Sequence, residues 1–247
     1  MADLAPRSPL VIRMQTLSKG ACLFAVSLSA LAGGVDAIGF LQLGGHFVSF
    51  MSGNTTQLAV EMANGNVREA GILAGIVGLF VIGTMLGTLL RLFAIRSFAK
   101  SRTTVLLLSL VTVLLAAASI SQEMSWQLMT IAFMTIAMGA ENALFQRDGD
   151  VVVGLTYMTG TLVKMGQRLT HAFFGEDKSA WVPYFFLWIG LLTGGVCGAI
   201  LFHHMGLHSL WVITSGSMAL TLISLFFKNS LTETAIARAG ETNGVKQ

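Results

Sequence analysis

The stretch FVSFMSGNTTQL at residues 47–58 decides the fold, because a close copy of it returns as LTYMTGTLVKM at residues 155–165. In each copy a few β-prone residues are followed by Met, then Ser or Thr, then Gly, then a sequence typical of a helix. Ser52 and Thr159 are good N-cap residues, since a hydroxyl oxygen accepts from the free N–H groups of a first helical turn. Both stretches therefore predict a helix that starts inside apolar sequence.

Composition sets the protein class. Apolar residues make up 54% of the 247-residue chain, charged residues make up only 11%, and the mean hydropathy is +0.74, which is typical of a polytopic membrane protein. A helix needs about 20 apolar residues to cross the roughly 30 Å hydrocarbon core. Candidate spans lie at 20–43, 70–92, 104–121, 126–146, 183–204 and 209–228, and shorter, more polar segments lie at 46–62 and 151–171.

The chain carries an internal duplication. The two halves of the sequence align at an offset of 105 residues and then at an offset of 107, across three consecutive segments. A two-residue insertion between an acidic residue and the Met-Ser/Thr-Gly motif accounts for the change of offset. At an offset of 105, the matches are Gly34, Asp36, Phe40 and Gly44 with Gly139, Glu141, Phe145 and Gly149; at 107, they are Met51, Gly53, Ile82, Gly83 and Gly87 with Met158, Gly160, Ile189, Gly190 and Gly194. We therefore predict membrane repeats at 20–121 and 126–228, with cytoplasmic tails at 1–19 and 229–247.

The basic residues discriminate between two topologies. If all eight segments span, five basic residues fall outside, against the positive-inside rule: Arg91, Arg96, Lys100, Arg102 and Arg147. If the two short segments instead enter and leave on one side, every one of the 15 Lys and Arg residues except Arg68 is cytoplasmic. Each half then has an odd number of spans. The predicted fold is an all-α polytopic membrane protein with six spanning helices and two re-entrant or broken segments, in two inverted repeats.

Two acids occupy matching places in the repeats, Asp36 and Glu141. A carboxylate inside a bilayer costs roughly 2.5–3.5 kcal/mol and is seldom kept without a partner or a role. Either the acids bind solute or a proton, or they are structural and hydrogen-bond the adjacent half-helix start. Lys164 lies one turn inside the second half-helix, opposite Gln57 in the first. It is placed to complement Glu141, to attract an anion, or to snorkel to the surface.

The two half-helix starts and the paired acids form the candidate solute site. A helix that begins partway through a membrane presents its positive N-terminal end to the midplane. The candidate residues are Asp36, Ser52, Gly53, Asn54, Thr55, Glu141, Asn142, Thr159, Gly160, Thr161 and Lys164. We expect no cofactor, no metal site and no enzymatic activity, because the sequence carries no catalytic triad, phosphate-binding glycine loop or zinc-ligand spacing. The loop basic residues set topology and imply no nucleic-acid partner.

Two stretches resemble the signatures of the YoaK-like family of bacterial multi-pass membrane proteins. They are GGVDAIGFLQLGGHFVSFMSGNTTQL in the first half and GAENALFQRDGDVVVGLTYMTGTLVKM in the second, and the likeness covers most of residues 20–228. The resemblance implies a protein of the bacterial cytoplasmic membrane, and it supplies no substrate because the family's function is unknown. The chain departs from the family pattern at Glu141, where an uncharged residue such as Gln is expected.

The sequence thus predicts a transporter-like protein for a small solute, an anion or a small metabolite, embedded in the lipid bilayer and compatible with a homo-oligomer. A passive channel is the first alternative. Aquaporin-type channels share the plan of six spans and two half-helices, although their Asn-Pro-Ala pair is absent here. A membrane scaffold that transports nothing is the second alternative.

Overall fold

A computed structural model of the chain describes residues 19–97, 102–147, 150–151, 155–175 and 177–226. The predicted tails at 1–19 and 229–247 lie outside the described residues, apart from Lys19, which begins the first helix.

The described chain is helical, which confirms the all-α prediction. The helices are α1 (Lys19–Gln42), α2 (Met51–Ala63), α3 (Val67–Ser97), α4 (Thr103–Glu123), α5 (Gln127–Glu141), α6 (Met158–Phe173), α7 (Val182–Met205) and α8 (Ser209–Phe226). Short 3-10 turns follow α5 at Asn142–Phe145 and α7 at Gly206–His208, and the two-residue strands Gln146–Arg147 and Asp150–Val151 pair antiparallel. The two short segments of the sequence become α2 and α6, with 13 and 16 residues.

Five stretches of the described residues are long and apolar enough to cross a membrane. They are Gly20–Gln42, Val67–Ser97, Thr103–Glu123, Gln127–Phe145 and Val182–Leu225. The last stretch is 44 residues long and holds both α7 and α8, joined by the turn at Gly206, which has a positive φ of 58°.

Two helix pairs run parallel, and in both pairs glycines let the backbones approach closely. Along α1 and α7, Gly190 faces the Val26 carbonyl and Gly198 faces the Gly34 carbonyl, so the residue numbers rise together. Along α3 and α5, Gly83 and Gly87 face the carbonyl oxygens of Ile136 and Ala140 in the same sense. A β-carbon at any of these four glycines would meet a backbone atom closer than 3.0 Å, which is why the small residue is needed there.

The helices α4 and α8 run antiparallel along a seam of hydroxyl groups. Thr112 Oγ1 lies 2.8 Å from Ser217 Oγ, and Ser119 Oγ lies 3.0 Å from Thr214 Oγ1, so the residue numbers change in opposite senses. Side-chain hydrogen bonds of this kind hold helices together where the surroundings are apolar.

The bundle has two ends, which we call the Gln42 end and the Ser97 end. At the Gln42 end, the side chain of Gln42 bonds that of Gln122 near the end of α4, and α3 begins there at Val67. From there α3 runs to the other end of the bundle, at Ser97. After α1 the chain turns back, so that Val48 and Ser49 lie beside Asp36 of α1 before α2 begins. In the second half, α6 leads to α7, in which Gly190 lies beside Val26 of α1.

Candidate functional site

The loop that leads into α2 is held by two side chains. Asp36 Oδ1, from α1, accepts hydrogen bonds from the backbone N–H groups of Val48 at 2.8 Å and Ser49 at 2.9 Å. Asn54, fully buried in α2, accepts from the Phe47 N–H at 3.0 Å and donates to the Phe47 carbonyl at 2.6 Å. These bonds favour the structural role for Asp36, since its carboxylate supports the backbone immediately before the half-helix.

The predicted N-caps are wrong by two residues in both halves. The helices begin at Met51 and Met158, and the residues in the capping positions are Phe50 and Tyr157, neither of which makes a side-chain capping bond. Hydroxyl groups favour the cap position in water, but here the aromatic ring of the residue before the helix packs along the first turn. Ser52 and the equivalent Thr159 therefore lie within the first turn of the half-helices.

The second half holds its loop differently. Asn142, directly after α5, donates to the Met138 carbonyl at 2.9 Å and accepts from the Thr156 hydroxyl at 3.2 Å. Glu141 is fully buried, and within the described part of the chain neither of its carboxylate oxygens has a hydrogen-bond partner. Of the three roles that the sequence leaves open for Lys164, a hydrogen bond to Glu141 is therefore not made within the described residues.

The two half-helices present matching faces. After the first residue of each helix, positions 107 apart share the same burial in the first turn, with Asn54 and Thr161 buried and Ser52 and Thr159 exposed. The match continues along the next two turns with one exception, since Lys164 is exposed and its counterpart Gln57 is half-buried. The other exposed positions of α2 are Ser52, Thr55, Thr56, Ala59 and Val60, and their counterparts in α6 are Thr159, Leu162, Val163, Gly166 and Gln167. The duplication read from the sequence is therefore also a duplication in how the two segments pack.

A cavity of about 530 Å³ lies where the two half-helices begin. Its walls come from both halves of the chain: Ser49, Phe50, Met51, Ser52, Phe80, Thr84, Asn142, Thr156, Tyr157, Met158, Thr159, Gly160, Thr161 and Lys164. Hydroxyl and amide groups alternate with aromatic rings and methionines, and Lys164 contributes the one charged side chain of this lining. The cavity suits a small polar molecule that also has an apolar part.

The structure brings only part of the predicted site together. Six of the predicted residues line the cavity: Ser52, Asn142, Thr159, Gly160, Thr161 and Lys164. The remaining five, Asp36, Gly53, Asn54, Thr55 and Glu141, are not among its lining residues. Gly53 packs under the Phe50 ring, and the Thr55 hydroxyl donates to the Met51 carbonyl at 2.8 Å. Asp36 and Asn54 support the cavity wall by holding the loop before α2.

Sequence reasoning missed several lining residues. Phe80 and Thr84 come from the middle of α3, where an apolar helix carries no signal that marks one face as the wall of a cavity. Phe50 and Tyr157 could have been found, because they occupy equivalent positions directly before the duplicated Met.

Comparison with known proteins identifies the family of the chain. A family model described as "Protein of unknown function (DUF1275)" matches residues 24–223. The chain belongs to this family. It is 35% identical over 211 residues to the "UPF0700 transmembrane protein RA0705" of Rhizobium meliloti (strain 1021), a match that covers 85% of this chain and 88% of that protein. No solved structure matches the chain. The predicted membership in a family of multi-pass membrane proteins of unknown function is confirmed.

Proposed function

We propose that this protein moves a small solute across the membrane through the cavity between the starts of α2 and α6. The observation that carries the proposal is that equivalent residues of the two halves, such as Ser52 and Thr159, line the same cavity of about 530 Å³. Transporters of several kinds place their solute site between two repeats, at the ends of discontinuous helices.

Helix directions support an inverted arrangement of the repeats. The parallel pair α1 and α7 has its counterpart in the parallel pair α5 and α3, and the equivalent helices α4 and α8 meet antiparallel. A two-fold axis in the plane of the membrane produces this pattern, because it exchanges the halves and reverses each helix. We infer six spanning helices, α1, α3, α4, α5, α7 and α8, with α2 and α6 as half-helices that enter from opposite faces.

The length and polarity of the half-helices fit this placement. Helices of 13 and 16 residues reach only about 20–24 Å, at about 1.5 Å per residue, which is short of the roughly 30 Å core. The irregular backbone before each of them would be unsatisfied in lipid, so it must lie against protein or a water-filled space. A cavity at their starts supplies such a space.

The charge distribution supports the orientation. Arg68 lies at the Gln42 end, whereas Arg91, Arg96, Arg102 and Lys178 lie toward the Ser97 end. By the positive-inside rule the Ser97 end is cytoplasmic, and with it the N- and C-termini. We place the protein in the bacterial cytoplasmic membrane, as a transporter-like protein and not as an enzyme.

The lining favours an anion or a small polar metabolite as the solute. Lys164 adds a cation beside two helix N-termini, whose partial positive charge attracts negative groups, and no acidic residue lines this cavity. A passive channel is the second candidate function, because two half-helices that meet at the midplane also build aquaporin-type channels.

Solute flux into proteoliposomes tests the proposal. The purified protein should carry one class of labelled solute from a panel of small anions and neutral metabolites, and Ser52→Trp should abolish that flux by filling the cavity. Ser215→Trp is the matched control, because Ser215 is an exposed serine on α8, away from the cavity. Accumulation against a gradient would favour a transporter over a channel. No flux for any solute, or equal flux in Ser52→Trp, would count against transport and favour a scaffold.

A further inference from the structure

An aromatic residue stands directly before each half-helix. Phe50 and Tyr157 lie 107 positions apart and share one backbone conformation, with φ and ψ of −88° and 75° for Phe50 and −90° and 64° for Tyr157. Both side chains line the cavity. The duplication has therefore kept an aromatic ring at the same place on each side of the site.

Each ring folds back over a glycine of its own half-helix. A β-carbon on Gly53 would lie 2.5 Å from Phe50 Cδ1, and one on Gly160 would collide with Tyr157 Cε1. Any larger residue at either position would push the ring away from the helix. The glycines of the Met-Ser/Thr-Gly motif thus leave room for the rings, and each ring packs against the first turn of its own half-helix.

The two rings differ in what holds them. The Phe50 ring meets Phe47 edge to face, with centroids 5.2 Å apart, and Phe47 in turn lies 4.8 Å from Phe40. Ring pairs of this kind add to the stabilisation that comes from the area they bury. Tyr157 is 68% exposed, and within the described chain its ring makes no aromatic contact and its hydroxyl no hydrogen bond.

We propose that Phe50 and Tyr157 are the two gating residues of the cavity, one for each side of the membrane. Phe50, held in the stack with Phe47 and Phe40, closes the side of α2. Tyr157, seated on Gly160 without a ring partner, is the gate that stands open on the side of α6. The two gates select solutes by size, since whatever enters must pass a ring. This inference rests on the proposed function.

Accessibility of a single cysteine tests the gates without knowledge of the solute. Thr84→Cys is the reporter, because Thr84 is half-buried on α3 and lines the cavity between the two half-helices. It is placed in a background in which Cys22 and Cys197 are alanine, and a charged, membrane-impermeant thiol reagent is added from either side of the membrane. We expect faster labelling from the side of α6 than from the side of α2.

The gating variants should change one side each. Phe50→Ala should raise labelling from the side of α2 severalfold and leave the other side unchanged. Tyr157→Ala should raise labelling only from the side of α6, and by less, because that gate already stands open. Phe174→Ala is the matched control, since Phe174 is an 85% exposed aromatic residue beyond the far end of α6 and should change neither rate.

Three outcomes would overturn the proposal: unchanged rates in both variants, equal changes from both sides, or no labelling of Thr84→Cys from either side in any variant. Phe50→Leu keeps an apolar side chain in the stack and should give an intermediate rise if Phe50→Ala does not fold. If the variants change labelling on one side each but no solute is transported, the proposed function is refuted and the gating proposal is kept. If a solute is transported but the variants do not change labelling on one side each, the gating proposal alone is refuted.

Discussion

The two acids at matching positions of the repeats have opposite surroundings. Asp36 is half-buried and accepts two backbone N–H groups, at 2.8 and 2.9 Å, whereas Glu141 is fully buried and, among the described residues, has no hydrogen-bond partner. A buried polar group without a partner costs about 1–3 kcal/mol, so only the first acid repays its burial through local structure. Asp36 and Glu141 therefore occupy equivalent positions in the sequence but make different contributions to local structure.

The difference has a local cause. In the first half the acid itself holds the loop before the half-helix, through Val48 and Ser49. In the second half the neighbouring Asn142 makes the corresponding contact, through Thr156. Because Asn142 holds the loop, the loop does not need a carboxylate at position 141. The unsatisfied carboxyl group of Glu141 therefore does not contribute to the stability of this loop.

Replacing Asp36 should give the largest effect on stability. Asp36→Ala leaves the N–H groups of Val48 and Ser49 without their acceptor, and at about 1–3 kcal/mol for each unsatisfied group the total loss is about 2–6 kcal/mol. Asp36→Asn should lose less, because an amide oxygen still accepts both bonds without the charge. Thermal unfolding of the detergent-solubilised variants measures the difference. An Asp36→Ala protein as stable as the parent would show that the loop does not depend on this carboxylate.

Replacing Glu141 should raise stability, by less than replacing Asp36 lowers it. Glu141→Met removes a buried carboxyl group that has no partner in the described chain and keeps a side chain of similar length, so we expect a gain of about 1 kcal/mol. Glu141→Gln is the matched control, because it keeps the polar atoms and should gain little. Flux is measured in parallel.

The paired readout separates function from structure at this position. A more stable Glu141→Met protein that has lost flux would mark Glu141 as a residue retained for activity at a cost in stability. Destabilisation as large as that of Asp36→Ala would break the contrast and show that the two acids do the same structural work.

The sequence predicted the helices more completely than it predicted the candidate site. Hydropathy and loop charge were enough to separate the long helices from the short α2 and α6, because burial in lipid demands length and apolarity that can be read directly. The cost of burying a charge marked Asp36 and Glu141 as unusual. It could not show that Asp36 has hydrogen-bond partners and that Glu141 has none in the described chain, because this depends on how the loop before each half-helix folds. The N-caps failed because packing of the Phe50 and Tyr157 rings replaced the hydroxyl caps that propensity favours.

The inverted insertion of the two half-helices is the claim on which both proposals depend, and cysteine topology tests it most directly. Single cysteines are placed in the background without Cys22 and Cys197, one as Asn66→Cys in the turn between α2 and α3 and one as Lys178→Cys between α6 and α7, both at exposed positions. An impermeant thiol reagent should label position 66 only from outside the cell and position 178 only from the cytoplasmic side. Labelling of both positions from the same side would contradict the inverted arrangement.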